Sequence, residues 1–178
     1  TSEESVAAGA HVTFSPMVDL VRDARWGRCL ESTGEDPYMN SLYAAAMVKG
    51  FQKGLGEAKP AGMASCVKHF AAYGAPEGGR DYNTVDMSER RLRQEYLPSY
   101  KAGVDAGCEM IMTSFNTVDG IPSTGNKWLM NDVLREEWGF DGVVITDYAA
   151  IAELVLHGAA EDQKEAARLA MEAGVDID

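Results

Sequence analysis

Four short runs of the chain end on polar side chains that could do chemistry together. Asp147 follows Val143, Val144, Ile145 and Thr146; Lys68 and His69 follow Ala64 to Val67; Asp19 follows Met17 and Val18; Asn116 ends CEMIMTSFN. A carboxylate near a cationic pair is a working constellation, because neighbouring positive charge keeps the carboxylate ionised at neutral pH. An ionised, positioned carboxylate is a nucleophile or a metal ligand. A metal needs further carboxylates or imidazoles nearby, and only His69 and Asp19 are available while Lys68 opposes a cation. Neither a metal nor another cofactor is expected. Lys68 offers a different chemistry, a Schiff base with a carbonyl substrate, as in a lyase or aldolase. Asp147 also has a plainer alternative, capping the helix that starts just after it.

These residues work together only if the elements bearing them converge. Val143 to Thr146 are all β-branched and uncharged, which suits a strand buried on both faces, as in a parallel sheet wrapped by helices. HVTFSPMVD reads as a strand as far as Pro16, GMASCVKHFAAYG as a second, CEMIMTSFN as a third and VDID as the start of a fifth. Helices are predicted between them. One begins at Asp36 with Pro37 in its first turn and carries a stripe of Leu42, Ala46, Met47, Gly50 and Phe51. The next has Asp86 and Glu89 at capping-box spacing and a break at Pro98. A third is capped by Asn126 and buries Leu129, Val133, Leu134 and Trp138; the last is DQKEAARLAMEAG. Alternating strands and helices imply parallel strands with right-handed crossovers, and no glycine-rich dinucleotide fingerprint follows a strand. The expected fold class is α/β, a partial (β/α) TIM-type barrel occupying residues 1–178. In such a barrel the C-terminal strand ends share one mouth.

Composition narrows the partners. The chain has 178 residues, 46% hydrophobic, enough for a core, and no apolar stretch of about 18 residues that would cross a membrane. A net charge of −12 argues against nucleic acid, which needs clustered cations. A neutral small molecule fits better. Cys29, Cys66 and Cys108 are widely spaced and odd in number, so buried free thiols are expected for Cys66 and Cys108. A complete barrel takes roughly 200–250 residues, so the first strands and the end of the barrel are expected to lie elsewhere.

Several motifs in one order carry a family resemblance. WGRCLESTGEDPY (26–38), KHFAAYG (68–74), EGGRDYNTVDMSERRLRQEYLPSY (77–100), MTSFNTVDGIPSTGN (112–126), EEWGFDGVVITDYAAI (136–151) and AGVDID (173–178) together resemble glycoside hydrolase family 3, near its periplasmic bacterial β-glucosidases. The resemblance implies retaining hydrolysis of a terminal β-linked sugar, with Asp147 as the nucleophile that forms a covalent glycosyl-enzyme. It further implies that Lys68, His69, Arg28 and Glu31 bind glycone hydroxyls, that Met112 touches the sugar, and that Tyr148 forms a wall of the aglycone site. The implied partners are a β-glucoside or related oligosaccharide and the remainder of the enzyme, and the implied location is periplasmic or secreted.

The departures limit that picture. Retention needs two carboxyl groups about 5–5.5 Å apart, and the family's acid/base Glu is expected on a second, C-terminal domain. The loop AAYGAPEGGRDYN has no histidine, which argues against an N-acetylglucosaminidase. These 178 residues alone are therefore expected to hydrolyse glycosides poorly, and a non-catalytic carbohydrate-binding remnant stands as an alternative. Arg28 and Glu31, three apart, also suit an ordinary solvated ion pair. His157 suits the C-terminal end of a helix. Trp128 and Trp138 suit packing outside the sheet, and Trp26, on a rim loop, stays open.

Overall fold

The computed structural model describes residues 1–58 and 61–178. In chain order the elements are α1 (Ser2–Ala7), β1 (Val12–Thr13), α2 (Pro37–Phe51), β2 (Ala64–Phe70), α3 (Glu89–Arg91), α4 (Pro98–Asp105), β3 (Met110–Thr113), β4 (Thr117–Val118), β5 (Ile121–Pro122), α5 (Trp128–Glu137), β6 (Val143–Ile145), α6 (Ala150–Leu156) and α7 (Gln163–Ala173). The main sheet runs β1-β2-β3-β6 with every pair parallel. Ile177 pairs with Ile145 beyond β6, where the fifth strand was expected. Among the described residues the sheet does not close on itself, so the fold is the α/β, barrel-type arrangement left open at both edges.

Side chains alternate across this sheet, and the alternation sets up the site. Val67, Ile111 and Val144 point into the large core shared with the helices. Cys66, Met110 and Met112, with Val143 and Ile145, form a smaller cluster on the opposite face. Counting on by twos, Lys68 continues the face of Cys66 and Asp147 continues that of Val143 and Ile145. The large core is sealed by residues such as Phe70, Leu97, Tyr100, Leu129 and Leu134, none more than 2% exposed. A Leu or Phe buried this completely contributes on the order of 1.5–3 kcal/mol relative to leaving it exposed.

Local sequence explains most helix boundaries. The Asp36 carboxylate accepts from the Met39 N–H at 2.8 Å, with Pro37 in the first turn. The buried face of α2 differs from the expected stripe: Asn40, Ala44 and Val48 face inward, while Leu42 is 48% exposed. Small Ala44 lets α2 lie close to its neighbours, and Asn40 reaches in to donate to the Val18 carbonyl at 2.9 Å. The cap of α3 is also corrected. Ser88 accepts from the Arg91 N–H at 3.3 Å, in place of the Asp86–Glu89 box. The chain then passes through a wider i→i+5 turn over Leu92–Tyr96 and restarts at Pro98, as its missing N–H requires. Asn126 accepts from the Leu129 N–H at 3.1 Å at the start of α5, and Asp162 from the Glu165 N–H at 2.8 Å at α7. Gly174, at φ 107°, ends α7 in the left-handed region and turns the chain back to Ile177.

Candidate active site

Asp147 stands just beyond the C-terminal end of β6, with its side chain 19% exposed. Its Oδ1 accepts from the Tyr148 N–H at 2.7 Å. Helix α6 begins from Ala149, in the left-handed region at φ 57°; the Ala150 N–H donates to the main-chain carbonyl of Asp147 at 3.1 Å, while the Asp147 side chain accepts from none of the first-turn amides. The helix-cap alternative therefore fails. The other carboxylate oxygen, Oδ2, lies 3.4 Å from Nε2 of His69.

Asp147 shares an open cavity of about 570 Å³ with Lys68, Met112 and Tyr148, three of the residues named from sequence. They come from three separate stretches of chain and meet because β2, β3 and β6 are neighbouring parallel strands, with a register irregularity between β2 and β3 after Val67, so their C-terminal ends lie side by side. Tyr148 is 89% exposed, which leaves its ring free at the rim. Asp178, which sequence reasoning left as the end of a strand, lines the same cavity and accepts from the Thr146 hydroxyl at 2.7 Å. One expectation is corrected. The sequence pairs Lys68 with Asp147, but no ion pair within 4.0 Å joins them among the described residues; the basic partner within that distance is His69. Strand β3 lies between β2 and β6 and sets the two side chains apart.

Behind the cavity wall lies a buried polar cluster. His69 is 1% exposed and its Nδ1 is 2.8 Å from Oδ2 of Asp19, which is 0% exposed. The Tyr100 hydroxyl lies 2.5 Å from Oδ1 of Asp19 and 2.7 Å from the His69 carbonyl. Burial, then the Asp19 charge, pushes the Tyr100 phenol well above its ordinary range. Tyr100 escaped notice in the sequence because nothing about a tyrosine two residues after Pro98 distinguishes it from a core aromatic. Asn116 also turns inward, donating to the Ala71 carbonyl at 3.2 Å, and is not part of the cavity.

Arg28 and Glu31 form a two-pronged pair, Nε to Oε1 at 2.6 Å and Nη2 to Oε2 at 2.9 Å. The guanidinium lies 5.5 Å from the centre of the Tyr73 ring. Arg28, chiefly through these bonds, lowers the Glu31 carboxyl below its ordinary range, and the charges of Lys68 and His69 act in the same direction. Glu31 thus feels Lys68 and His69 although it is remote from them in sequence, and neither it nor Arg28 lines the cavity. Trp26 is fully buried, donating to Asp81 at 2.9 Å and packed edge-on to Tyr73 at 5.1 Å, so it is no sugar platform. Cys66, below the cavity, is a thiol pushed up to about 12 by burial, with the Asp147 charge adding and Lys68 opposing. It is no nucleophile at neutral pH. Among the described residues no cluster of three or more metal-ligating side chains exists.

The arrangement provides a partly exposed carboxylate, an ammonium on the same cavity, and a buried imidazole whose Nε2 lies 3.4 Å from the carboxylate's far oxygen. Chemically, such groups suit a neutral, hydroxyl-rich ligand. Comparisons with known proteins give the family. The model of the glycosyl hydrolase family 3 N-terminal domain matches residues 1–178. The chain is 50% identical over 174 residues, 98% of its length, to a periplasmic β-glucosidase of Salmonella typhimurium, of which it covers 23%. It is 42% identical over its whole length to a β-xylosidase of Formosa agariphila, covering 25% of that protein. The crystal structure of a β-glucosidase from Listeria innocua superimposes with a TM-score of 0.96 at 59% identity over 99% of this chain and 25% of that one. That protein has also been solved with laminaribiose and with glucose. The chain spans about a quarter of the length of each of these relatives.

Proposed function

Since this chain belongs to glycoside hydrolase family 3, we propose that it forms the nucleophile-bearing part of a retaining β-glycosidase releasing a terminal glucosyl residue. The observation that carries this reading is the Asp147 carboxylate opening on one cavity with Lys68, Met112 and Tyr148. In the first step an Asp147 oxygen bonds to the anomeric carbon as the bond to the leaving oxygen breaks. The leaving oxygen takes a proton from a general acid. In the second step a water oxygen attacks the same carbon, gives a proton to the same acid/base, and frees Asp147. We assign that acid/base to a Glu on a C-terminal domain outside these 178 residues.

The other residues bind and orient. Lys68 donates to glycone hydroxyls, and a charged donor binds them more strongly than a neutral one. His69, with Nε2 3.4 Å from the far oxygen of Asp147, offers that nitrogen to a glycone hydroxyl. The Arg28–Glu31 pair presents a fixed donor–acceptor edge to vicinal hydroxyls. Met112 supplies an apolar floor, and Tyr148 a ring for the leaving group. Bonds that tighten as the oxocarbenium ion develops lower the barrier to both steps. Glucose is the glycone favoured by the names and ligands of the similar β-glucosidases. A periplasmic or secreted location follows the Salmonella typhimurium relative.

The test is mechanism-based trapping in the intact protein. A 2-fluoro β-glucoside should add one glycosyl mass, and peptide mapping should find it on Asp147. Asp147→Ala should lower turnover of an aryl β-glucoside by at least about a thousandfold, some 4 kcal/mol of barrier. Label on another carboxylate would sink the assignment, and borohydride trapping of a carbonyl substrate on Lys68 would favour the lyase.

A further inference from the structure

A carboxylate taken wholly out of water is unfavourable unless it is paired and fully hydrogen-bonded. Asp19 is 0% exposed, and among the described residues its only ionisable partner within 4.0 Å carrying nitrogen is His69. Its oxygens are otherwise met by the His69 backbone N–H at 3.2 Å and the Tyr100 hydroxyl at 2.5 Å. The backbone holding it is equally fixed. The Val18 N–H donates to the Lys68 carbonyl at 2.8 Å, and the Val18 carbonyl accepts from Asn40 at 2.9 Å and Ser99 at 2.8 Å. Asp19 is therefore a rigid acceptor with one free task, facing Nδ1 of His69 at 2.8 Å. The other ring nitrogen of His69 is the one that meets the Asp147 carboxylate.

From this chain of contacts we infer that Asp19 is a positioning residue. By accepting the Nδ1 proton of His69 it stops the ring from turning over, so that Nε2 faces Asp147 and the cavity. Imidazole rotation about its last side-chain torsion has a broad two-fold profile, so the ring alone would not hold one face. A carboxylate on the opposite nitrogen holds it. Tyr100 plays the supporting part, tying Asp19 to the His69 main chain on the helix side of the sheet. The effect on turnover rests on the glycosidase reading; the hold on the ring does not.

The experiment is done on the intact protein with 15N-labelled histidine. In the parent, Nδ1 of His69 should carry a proton strongly shielded from solvent exchange. Asp19→Ala should lose that signature and lower kcat on an aryl β-glucoside tenfold or more, with KM changed less than threefold. Asp19→Asn, which restores an acceptor at Nδ1, should recover most of the loss and keep the Nδ1 proton. If Asp19→Ala does not fold, the parent spectrum and the Asn variant decide. An unprotonated Nδ1 in the parent, or an Ala variant with kcat within twofold of the parent, overturns the inference. A parent that shows the Nδ1 proton but hydrolyses no β-glucoside would overturn the proposed function and leave the hold of Asp19 on His69 standing.

Discussion

At the scale of single residues, the Arg28–Glu31 pair shows how a surface-type ion pair can be fixed by two bonds at once without lining the cavity of Asp147. Glu31 keeps its charge below the ordinary Glu value of 4.5 because Arg28 binds both its oxygens. A carboxylate whose folded-state pKa is depressed contributes stability that is complete above the unfolded value and lost as pH falls through the folded one. The thermal midpoint of the parent should therefore exceed that of Glu31→Gln by a constant amount from neutral pH down to about 4.5. Below that the gap should close. Melting curves of both proteins across pH 3–7 are the check, and a gap that ignores pH would show that the pair is screened into irrelevance. Sequence alone could not decide this, since a three-residue spacing serves a solvated pair equally well. What the sequence lacked was the neighbourhood of Lys68 and His69.

At the scale of elements, strand ends were legible and contacts between elements were not. The β-branched run ending at Asp147 and the small run ending at Lys68 announce buried strands by composition alone. The inward face of α2 is misleading in sequence because its contacts are made by Asn40 and Ala44, residues that hydrophobic counting overlooks, while Leu42 and Tyr43 stay exposed. The sequence favours Asp86 as the cap over Ser88, which holds it in the fold, because either residue could chemically serve. The seam that aligns β6 with β3 depends on a residue with no side chain. A Cβ at Gly142 would sit 2.3 Å from the Glu109 carbonyl oxygen, backbone against backbone. Gly142→Ala should thus push β6 off its neighbour and carry Asp147 with it. We expect a loss of about 1–3 kcal/mol in stability, the usual cost of overpacking, together with a lower kcat. Chemical denaturation and aryl β-glucoside kinetics test both arms; an Ala variant as stable and active as the parent would contradict the tight seam.

At the scale of the whole molecule, the sheet presents two open edges. Val12 and Phe14 at one side and Ile177 at the other are 41%, 52% and 47% exposed. Open strand edges carry unpaired backbone groups and invite further strands. These 178 residues alone are expected to turn over cellobiose poorly, and an activated aryl β-glucoside, which needs little acid assistance, relatively better. Comparing the two substrates on the isolated segment and on the intact protein tests this; efficient cellobiose cleavage by the segment would refute the assignment of the acid to another domain. The strand order has a further consequence. Lys68 and Asp147 hang from β2 and β6, and β3 lies between them. Their separation is therefore gauged by two rungs of a main-chain ladder, each about 4.8 Å, and not by the choice of side chains. Met112 sits on the middle rung and lines the same cavity. A change of side chain there should reshape the space between the two charged groups, while the main chain keeps their spacing.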